Sequence, residues 1–478
     1  MQVRSDRFLS VCLRSWRIYR YVVKSNAVAQ RKSGLESLMD INKNQSIHTI
    51  GIGGIGTSSL ARFYHTRGHR VSGSDLTRSE ITDALAGEGI SVAIGAHTAA
   101  NIPRNTDVVI HTAATPKNNP ELLAAKRRKI PAKTYAEALG DLTRHYRTIT
   151  VSGSHGKSTT TALVALVLEA GYHDPTVIVG TLLKEFGGTN FRSGRSPYLV
   201  LEADEWNRSF LHYAPEVAIA TNIDREHVDT YATPDELQEA FGQYFEKLPR
   251  RGKIIANEDD LLLRRVARKF GSQVLWYSRI HPEAALVRKH LKIPGEHNVS
   301  NALAALHLGR LFGVAEPQIL KALSSYAGAW RRFEFTGMLN GAYLISDYGH
   351  HPNEIRATIA AARQRYPYRR IWCVYQPHQH RRTEYLWDDF VQSFDLADRV
   401  TMLPIYDVAG RETGSDGHSK TSAALVKELV RRGKDATHLP SIKTVKMHLC
   451  RHTQMGDVVL IMGAGDIYRL TKELEKVG

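Results

Sequence analysis

Short apolar runs alternate along the chain with glycine-rich or acidic turns and with longer amphipathic stretches, the pattern of strands feeding helices. Ile47-His48-Thr49-Ile50 predicts a first strand, which meets Gly51-Ile52-Gly53-Gly54-Ile55-Gly56 before a helix over residues 57–66. Residues 69–72 predict a second strand ending at Gly73-Ser74-Asp75, and 107–111 a third that leads into Thr112-Ala113-Ala114. This rhythm gives a parallel sheet. A second segment opens near Arg147 with the β-branched run Thr148-Ile149-Thr150-Val151, then Ser152-Gly153-Ser154-His155-Gly156-Lys157-Ser158-Thr159, then a helix over 160–170 that Gly171 stops. Two further strands, 198–201 and 217–220, end in Glu202-Ala203-Asp204-Glu205 and in Thr221-Asn222-Ile223-Asp224-Arg225-Glu226-His227. In a third segment, strands over 342–346, 370–375 and 458–462 each end in polar clusters. The reading is an α/β protein of three domains: 46–146 Rossmann-like, 147–333 a P-loop ATPase-type domain with a mainly parallel sheet, and 334–478 Rossmann-like.

Composition changes this little. The chain has 478 residues, enough for about three domains, with 42% hydrophobic and 23% charged residues. Cys12, Cys373 and Cys450 lie far apart, without metal-ligand spacing or a disulfide framework, which points to a reducing, cytoplasmic setting. Net charge is +16, to be read either as a solvated basic surface or as attraction to an anionic partner. Residues 1–38 carry eight basic side chains against Asp6 and Glu36, so +6 of that excess is local. They hold no apolar run long enough to span a membrane and no clean secretory signal. Met39 opens just before the first strand, so an over-extended start is the simplest account of residues 1–38, with a basic arm second; residues 1–45 are set apart as an extension.

The candidate chemistry gathers at strand ends, where parallel sheets bind ligands. The first glycine turn fits a dinucleotide fingerprint, with Asp75 where a ribose-binding acid falls. Free N–H groups and a helix dipole suit any pyrophosphate, so a UDP-sugar fits as well as NAD. The second loop is a P-loop, though a compact one. Only two residues lie between Gly153 and Gly156, and Val151 stands where the general pattern has its first glycine. Its backbone suits phosphates, Lys157 the β and γ oxygens of ATP, and Ser158 the accompanying Mg²⁺. Glu202 and His227 fall on the same rim, and carboxylates beside a triphosphate hold Mg²⁺. A dehydrogenase built on the first fingerprint has no use for this second loop.

In combination and in order, these motifs resemble the Mur ligases, the ATP-dependent amide-forming family of peptidoglycan precursor synthesis, from about Ser46 onward. They are Gly51 to Gly56, Gly153 to Thr161, Glu202 to Glu205, Thr221 to Asp224 with His227, Pro294-Gly-Glu-His-Asn298, Arg331-Arg-Phe333, Asp347-Tyr-Gly-His-His-Pro352 and Gln376-Pro-His378. The likeness is strongest to the branch that adds L-alanine to UDP-N-acetylmuramate; the branch that attaches a recycled tripeptide is the alternative. It implies an acyl phosphate made from the muramoyl carboxylate and ATP, then attack by an amine. It implies ATP contacts from Gly153, Ser154, His155, Gly156, Lys157, Ser158, Thr159, Asn298, Arg331 and Asp347. Mg²⁺ would fall to Ser158, Glu202 and His227, and UDP-sugar binding to Gly53, Gly54, Ile55, Gly56, Asp75 and His97. His350, His378 and Arg382 would hold the amino acid, with Lys157, Glu202, His227 and His350 catalytic; His227 and His350 are both candidates for the amine proton. No nucleic acid is expected as a partner, and the protein is expected to be a monomer or weak homodimer. Gln379 stands where the alanine-adding branch usually has arginine, with Arg381 a possible substitute, and Trp330 stands where glycine is usual. The stretch from His227 to His297 is shorter than usual. No lysine lies near Asp229 to be carbamylated, which fits the alanine-adding branch.

Overall fold

The computed structural model describes residues 41, 43–227, 229–406 and 420–475; the basic segment 1–38 and its start site lie outside them. Three sheets follow one another along the chain. The first has strands β1 (Ser46–Ile50), β2 (Arg70–Asp75), β3 (Ser91–Ile94), β4 (Val108–His111) and β5 (Ala132–Thr134), all parallel, in the order β3-β2-β1-β4-β5. β1 is central because every residue in it is buried. The order reverses beside β1, so the glycine turn that follows it opens into the crevice where such sheets take ligands.

The second sheet holds β6 (Arg147–Ser152), β7 (Thr176–Leu183), β8 (Thr189–Arg192), β9 (Tyr198–Glu202), β10 (Val217–Ala220), β11 (Lys253–Asn257) and β12 (Val274–Tyr277). Its order is β12-β11-β10-β6-β9-β7-β8, parallel except for β8 against β7. Helices Lys157–Ala170 and Glu296–Leu311 pack together beside it, burying Leu163, Val167, Leu303 and Leu306. The second helix is buried along most of its length, polar residues included, and its N-terminal part brings Asn298 and Asn301 to the P-loop. The helix expected from Thr160 begins three residues earlier, at Lys157, since left-handed Gly156 (φ 84°) already turns the chain into it.

The third sheet holds β13 (Glu334–Leu339), β14 (Ala342–Asp347), β15 (Ile371–Tyr375), β16 (Arg399–Met402), β17 (Asp435–His438) and β18 (Val458–Met462), in the order β13-β14-β18-β15-β16-β17. Only the β13–β14 hairpin is antiparallel. The three-domain α/β architecture read from the sequence is the one adopted. Cys373 and Cys450 are free. No helix among the described residues is long and apolar enough to cross a membrane.

Candidate active site

β6 lies between β10 and β9, so the loop leaving its carboxyl end sits mid-rim. Gly153 (φ 129°) admits no side chain, because a Cβ there would lie 2.1 Å from Thr221 Oγ1. At Gly156 a Cβ would lie 2.4 Å from Asn301 Oδ1. The Ser154 and His155 N–H groups are taken by Asn222, so the backbone donors offered to a phosphate are those that open the helix at Lys157. Lys157 Nζ donates to the Gly153 carbonyl (2.7 Å) and lies 3.1 and 3.2 Å from the two Glu205 oxygens, with Asp204 at 3.7 Å. Burial works against its charge, but Glu205 and Asp204 outweigh it and hold the ammonium above its usual range. The loop thus carries a permanent, partly buried cation.

Glu202 closes β9 and accepts from the Gly180 N–H (2.6 Å) and from Ser158. Burial raises its pKa although those donors and Lys157 oppose the shift. His227, held at φ 55°, places Nε2 3.2 Å from Glu205 Oε1 and 3.8 Å from Asp204 Oδ1. The expected trio is therefore divided: Ser158 stands with Glu202, and His227 with Asp204 and Glu205. The ligand atoms of Asp204, Glu205 and His227 lie within 4.8 Å of one another. Glu205 is fully buried, yet its sequence position beside Glu202 reads as one more acid at a strand end. This rim offers carboxylate oxygens, a hydroxyl and an imidazole, a donor set that fits Mg²⁺.

Beside the loop opens a cavity of about 260 Å³, walled by His155, Gly156 and Thr159 on one side and on the other by Arg332 and Phe333, which lead into the third segment, and by Asp347 within it. Asn298 and Asn301 line it from the enclosed helix, as does His297, whose burial lowers its pKa to about 4. Asp347 is fixed by the N–H groups of Phe333 and Gly349, each at 2.8 Å. Arg331 does not line this cavity. Its guanidinium donates to the Gly463 and Gly465 carbonyls and packs by Tyr348 and Tyr468, leaving Arg332 and Arg279 as the guanidinium groups of the cavity wall. Adjacent arginines in an extended or left-handed turn point apart, and sequence alone does not say which faces the cleft.

In the first domain, Gly53 N–H donates to Asp75 Oδ2 (2.9 Å), so Asp75 ties the glycine turn to the end of β2. Gly54 caps the helix Ile55–Thr66, and Gly56 packs on Tyr135, whose hydroxyl feels the Glu202 charge. The turn therefore lies toward the acidic rim. His97 is held 2.8 Å from Glu121, a fully buried acid that sequence reading passed over because it lies in a helix of mixed polarity. Burial alone would raise the Glu121 pKa, but hydrogen bonds from His48, Asn101, His97 and Ser74 bring it down to about 2. Replacing Glu121 with alanine strands these donors and is expected to destabilise the first domain by about 1–3 kcal/mol. Thermal denaturation checks this; a variant as stable as the parent contradicts it. With the folded pKa depressed, this stabilisation holds above the ordinary carboxylate range and fades as pH falls toward 2.

On the far side, the His350 and His378 rings lie 5.7 Å apart. Arg382 reaches His378 Nδ1 (3.2 Å) and makes a buried ion pair with Glu226 Oε2 (3.0 Å). Burial, helped by Arg382 and opposed by Glu354, lowers His350 to about 4. Gln379 is left-handed (φ 71°) and starts the helix His380–Tyr385; Arg381 is exposed and Arg382 buried.

The Mur ligase catalytic-domain family model matches residues 46–147, the Mur ligase middle-domain model 151–289, and the Mur ligase glutamate-ligase-domain model 331–465. The chain belongs to the Mur ligase family. This Mur ligase is 38% identical to the UDP-N-acetylmuramate–L-alanine ligase of Alkaliphilus metalliredigens over 91% of its own length and 98% of that protein's. It is 36% identical to the same-named ligase of Acetivibrio thermocellus, over 91% and 96%. Among solved structures, the UDP-N-acetylmuramate–alanine ligase of Thermotoga maritima aligns with a TM-score of 0.75 at 26% identity, covering 91% of this chain and 99% of that one. A murein peptide ligase of Psychrobacter arcticus shares the fold, with a TM-score of 0.67 at 22% identity over 91% and 98%.

Proposed function

We propose that this Mur ligase uses ATP to join L-alanine to the carboxylate of UDP-N-acetylmuramate, releasing ADP and phosphate, as a cytoplasmic step of peptidoglycan precursor synthesis. The observation that carries the chemistry is the partly buried Lys157 ammonium, set on the loop between the acidic rim and the cavity. The alanine-adding relatives, matched nearly end to end, support the substrates.

The residues divide the work. The loop from Gly153 to Thr159, with Lys157, cradles the phosphates; Asn298, Asp347 and Arg332 wall the nucleotide side. The glycine turn from Gly53 to Gly56 takes the UDP diphosphate. Attack of the muramoyl carboxylate on the γ-phosphorus brings two anions together, and Lys157 offsets their repulsion. Ser158, Glu202, Glu205 and His227 would hold Mg²⁺, which when bound supplies further charge neutralisation at the phosphates. ADP leaves; the alanine amine then attacks the acyl carbon and phosphate departs. Arg382 and His378 face the amino acid. His350 is neutral at physiological pH and so has a lone pair for the amine proton, whereas His227 stands with Glu205 on the rim that would hold the metal.

Phosphate release with ATP, Mg²⁺ and UDP-N-acetylmuramate is expected with L-alanine in preference to L-serine, glycine or the recycled tripeptide. No release with any acceptor would overturn the ligase reading, and preference for the tripeptide would reassign the substrate. The His350 pKa adds a second expectation. The acid limb of the kcat profile should show no histidine step near pH 6.5, because His350 stays neutral down to about 4. An inflection near 6.5 that His350→Gln abolishes would contradict that assignment.

A further inference from the structure

The P-loop histidine reaches across a domain boundary. His155 Nε2 lies 2.8 Å from Asp224 Oδ2, in the loop after β10, while its Nδ1 lies 3.2 Å from Glu354 Oε1, on the helix Pro352–Arg365 of the third domain. Glu354 uses its other oxygen to cap its own helix, accepting from the His350 and His351 N–H groups at 2.9 and 3.2 Å. That leaves Oε1 for the neighbouring domain. The Asp224 loop is joined to the same helix, since Asn353 Nδ2 donates to Asp224 and His351 Nε2 lies 3.1 Å from the Arg225 carbonyl.

The backbone of His155 is fixed just as firmly. Its N–H donates to Asn222 Oδ1 (2.9 Å), and its carbonyl accepts from Thr221 Oγ1 (2.6 Å) and Asn222 Nδ2 (3.0 Å). The phosphate loop, the β10 loop and the third domain's helix cap therefore form one hydrogen-bonded junction.

Ligand atoms of His155, Asp224 and His351 lie within 4.8 Å of one another, which also suggests a metal site. The partners of His155 argue against it. Both carboxylates are held in their charged form, Asp224 well below the usual range and Glu354 likewise, and a carboxylate can only accept. Both ring nitrogens must then carry protons, and the ring has no lone pair for a metal. Burial opposes that charge, but Asp224 and Glu354 prevail and raise His155 to about 10.

We propose that His155 is a positioning residue that couples the ATP-binding loop to closure of the third domain, by bridging Asp224 on one side and Glu354 on the other. A nucleotide that orders the loop aims the ring at Glu354, and the docked domain in turn holds the loop in its binding shape. Such coupling is reciprocal. It brings His350, His378 and Arg382 up to the site where the acyl phosphate forms. The inference rests on the ATP reading above, but its main test needs only nucleotide binding.

Small-angle X-ray scattering of the full chain, with Mg²⁺, UDP-N-acetylmuramate and a non-hydrolysable ATP analogue at concentrations shown by titration to saturate, should show compaction. In His155→Ala, saturated in the same way, compaction should be lost, and KM for L-alanine should rise about tenfold or more. His155→Gln, which keeps one N–H donor, should recover part of both. Asn353→Ala, which cuts the second strut of the junction, should act in the same direction if His155→Ala fails to fold. Compaction equal to the parent's in folded, saturated variants, with a defect confined to KM for ATP, would overturn the proposal. A parent chain that binds no nucleotide would instead overturn the ligase reading.

Discussion

Lys157→Ala is expected to lower kcat by about 10³-fold or more while leaving UDP-N-acetylmuramate binding intact. The lysine is the one ammonium at the P-loop, 2.7 Å from the Gly153 carbonyl and flanked by Glu205 and Asp204. Without it, an incoming carboxylate and a triphosphate meet beside Glu205 and Asp204 without the ammonium that offsets those two carboxylates. Removing Lys157 also leaves Glu205, fully buried, short of its counter-charge, which costs stability. The variant is therefore to be shown folded by circular dichroism before kinetics. The glycine turn proposed to take UDP is built on β1 and shares no residue with the P-loop. Calorimetric titration with UDP-N-acetylmuramate should give a dissociation constant within about threefold of the parent's. Loss of sugar binding in a folded variant would mean that the two sites are not separate, and turnover above about a tenth of the parent's would remove Lys157 from the phosphoryl-transfer step.

Legibility in the sequence followed burial. β1, β6, β9, β10, β15 and β18 are central and nearly enclosed, and apolar or β-branched residues make up most of each, so each stands out as a short run. β3 (Ser91–Ile94), β5 (Ala132–Thr134) and β17 (Asp435–His438) are edge strands of three or four residues with no buried position, and nothing in their local pattern separates them from loops. The same division runs through the site. The P-loop was legible because its glycines, lysine and serine act within eight consecutive positions. Glu121, Glu226 and Glu354 were not legible as functional acids, because what defines each is a partner far along the chain: His48, Arg382 and His155 lie 73, 156 and 199 residues away. An acid in a mixed helix or loop reads as solvated until the partner is in view. Arg331 and Arg332 show the converse limit, since of two neighbouring identical side chains one is spent on the Gly463 and Gly465 carbonyls and the other lines the cavity.

The Glu226–Arg382 pair gives the second large effect. Both side chains are buried, and Glu226 Oε1 has no hydrogen-bond partner. Burial would raise the Glu226 pKa, but Arg382, with lesser help from His227, His350 and His351, holds it well below the usual range. Arg382→Met removes the largest of those counter-charges and leaves an uncompensated buried carboxylate, a loss of about 3–5 kcal/mol. Since the depressed folded pKa stabilises the protein only above the ordinary carboxylate range, the parent's gain from this pair is full at neutral pH and lost as pH falls through the folded value. In the variant the carboxyl titrates higher, so it can protonate and relieve the strain. Its deficit against the parent should be largest near pH 7–8 and shrink toward pH 5. Glu226→Gln combined with Arg382→Met should recover most of the stability. It should not recover function: a guanidinium pinned by Glu226 still has donors for the alanine carboxylate, and without them KM for L-alanine should stay about 10–100-fold high. Thermal denaturation across pH and steady-state kinetics separate the two consequences. A deficit that grew on acidification would show that Glu226 is not the charge being stranded, and a double variant with native KM would release Arg382 from the amino-acid site.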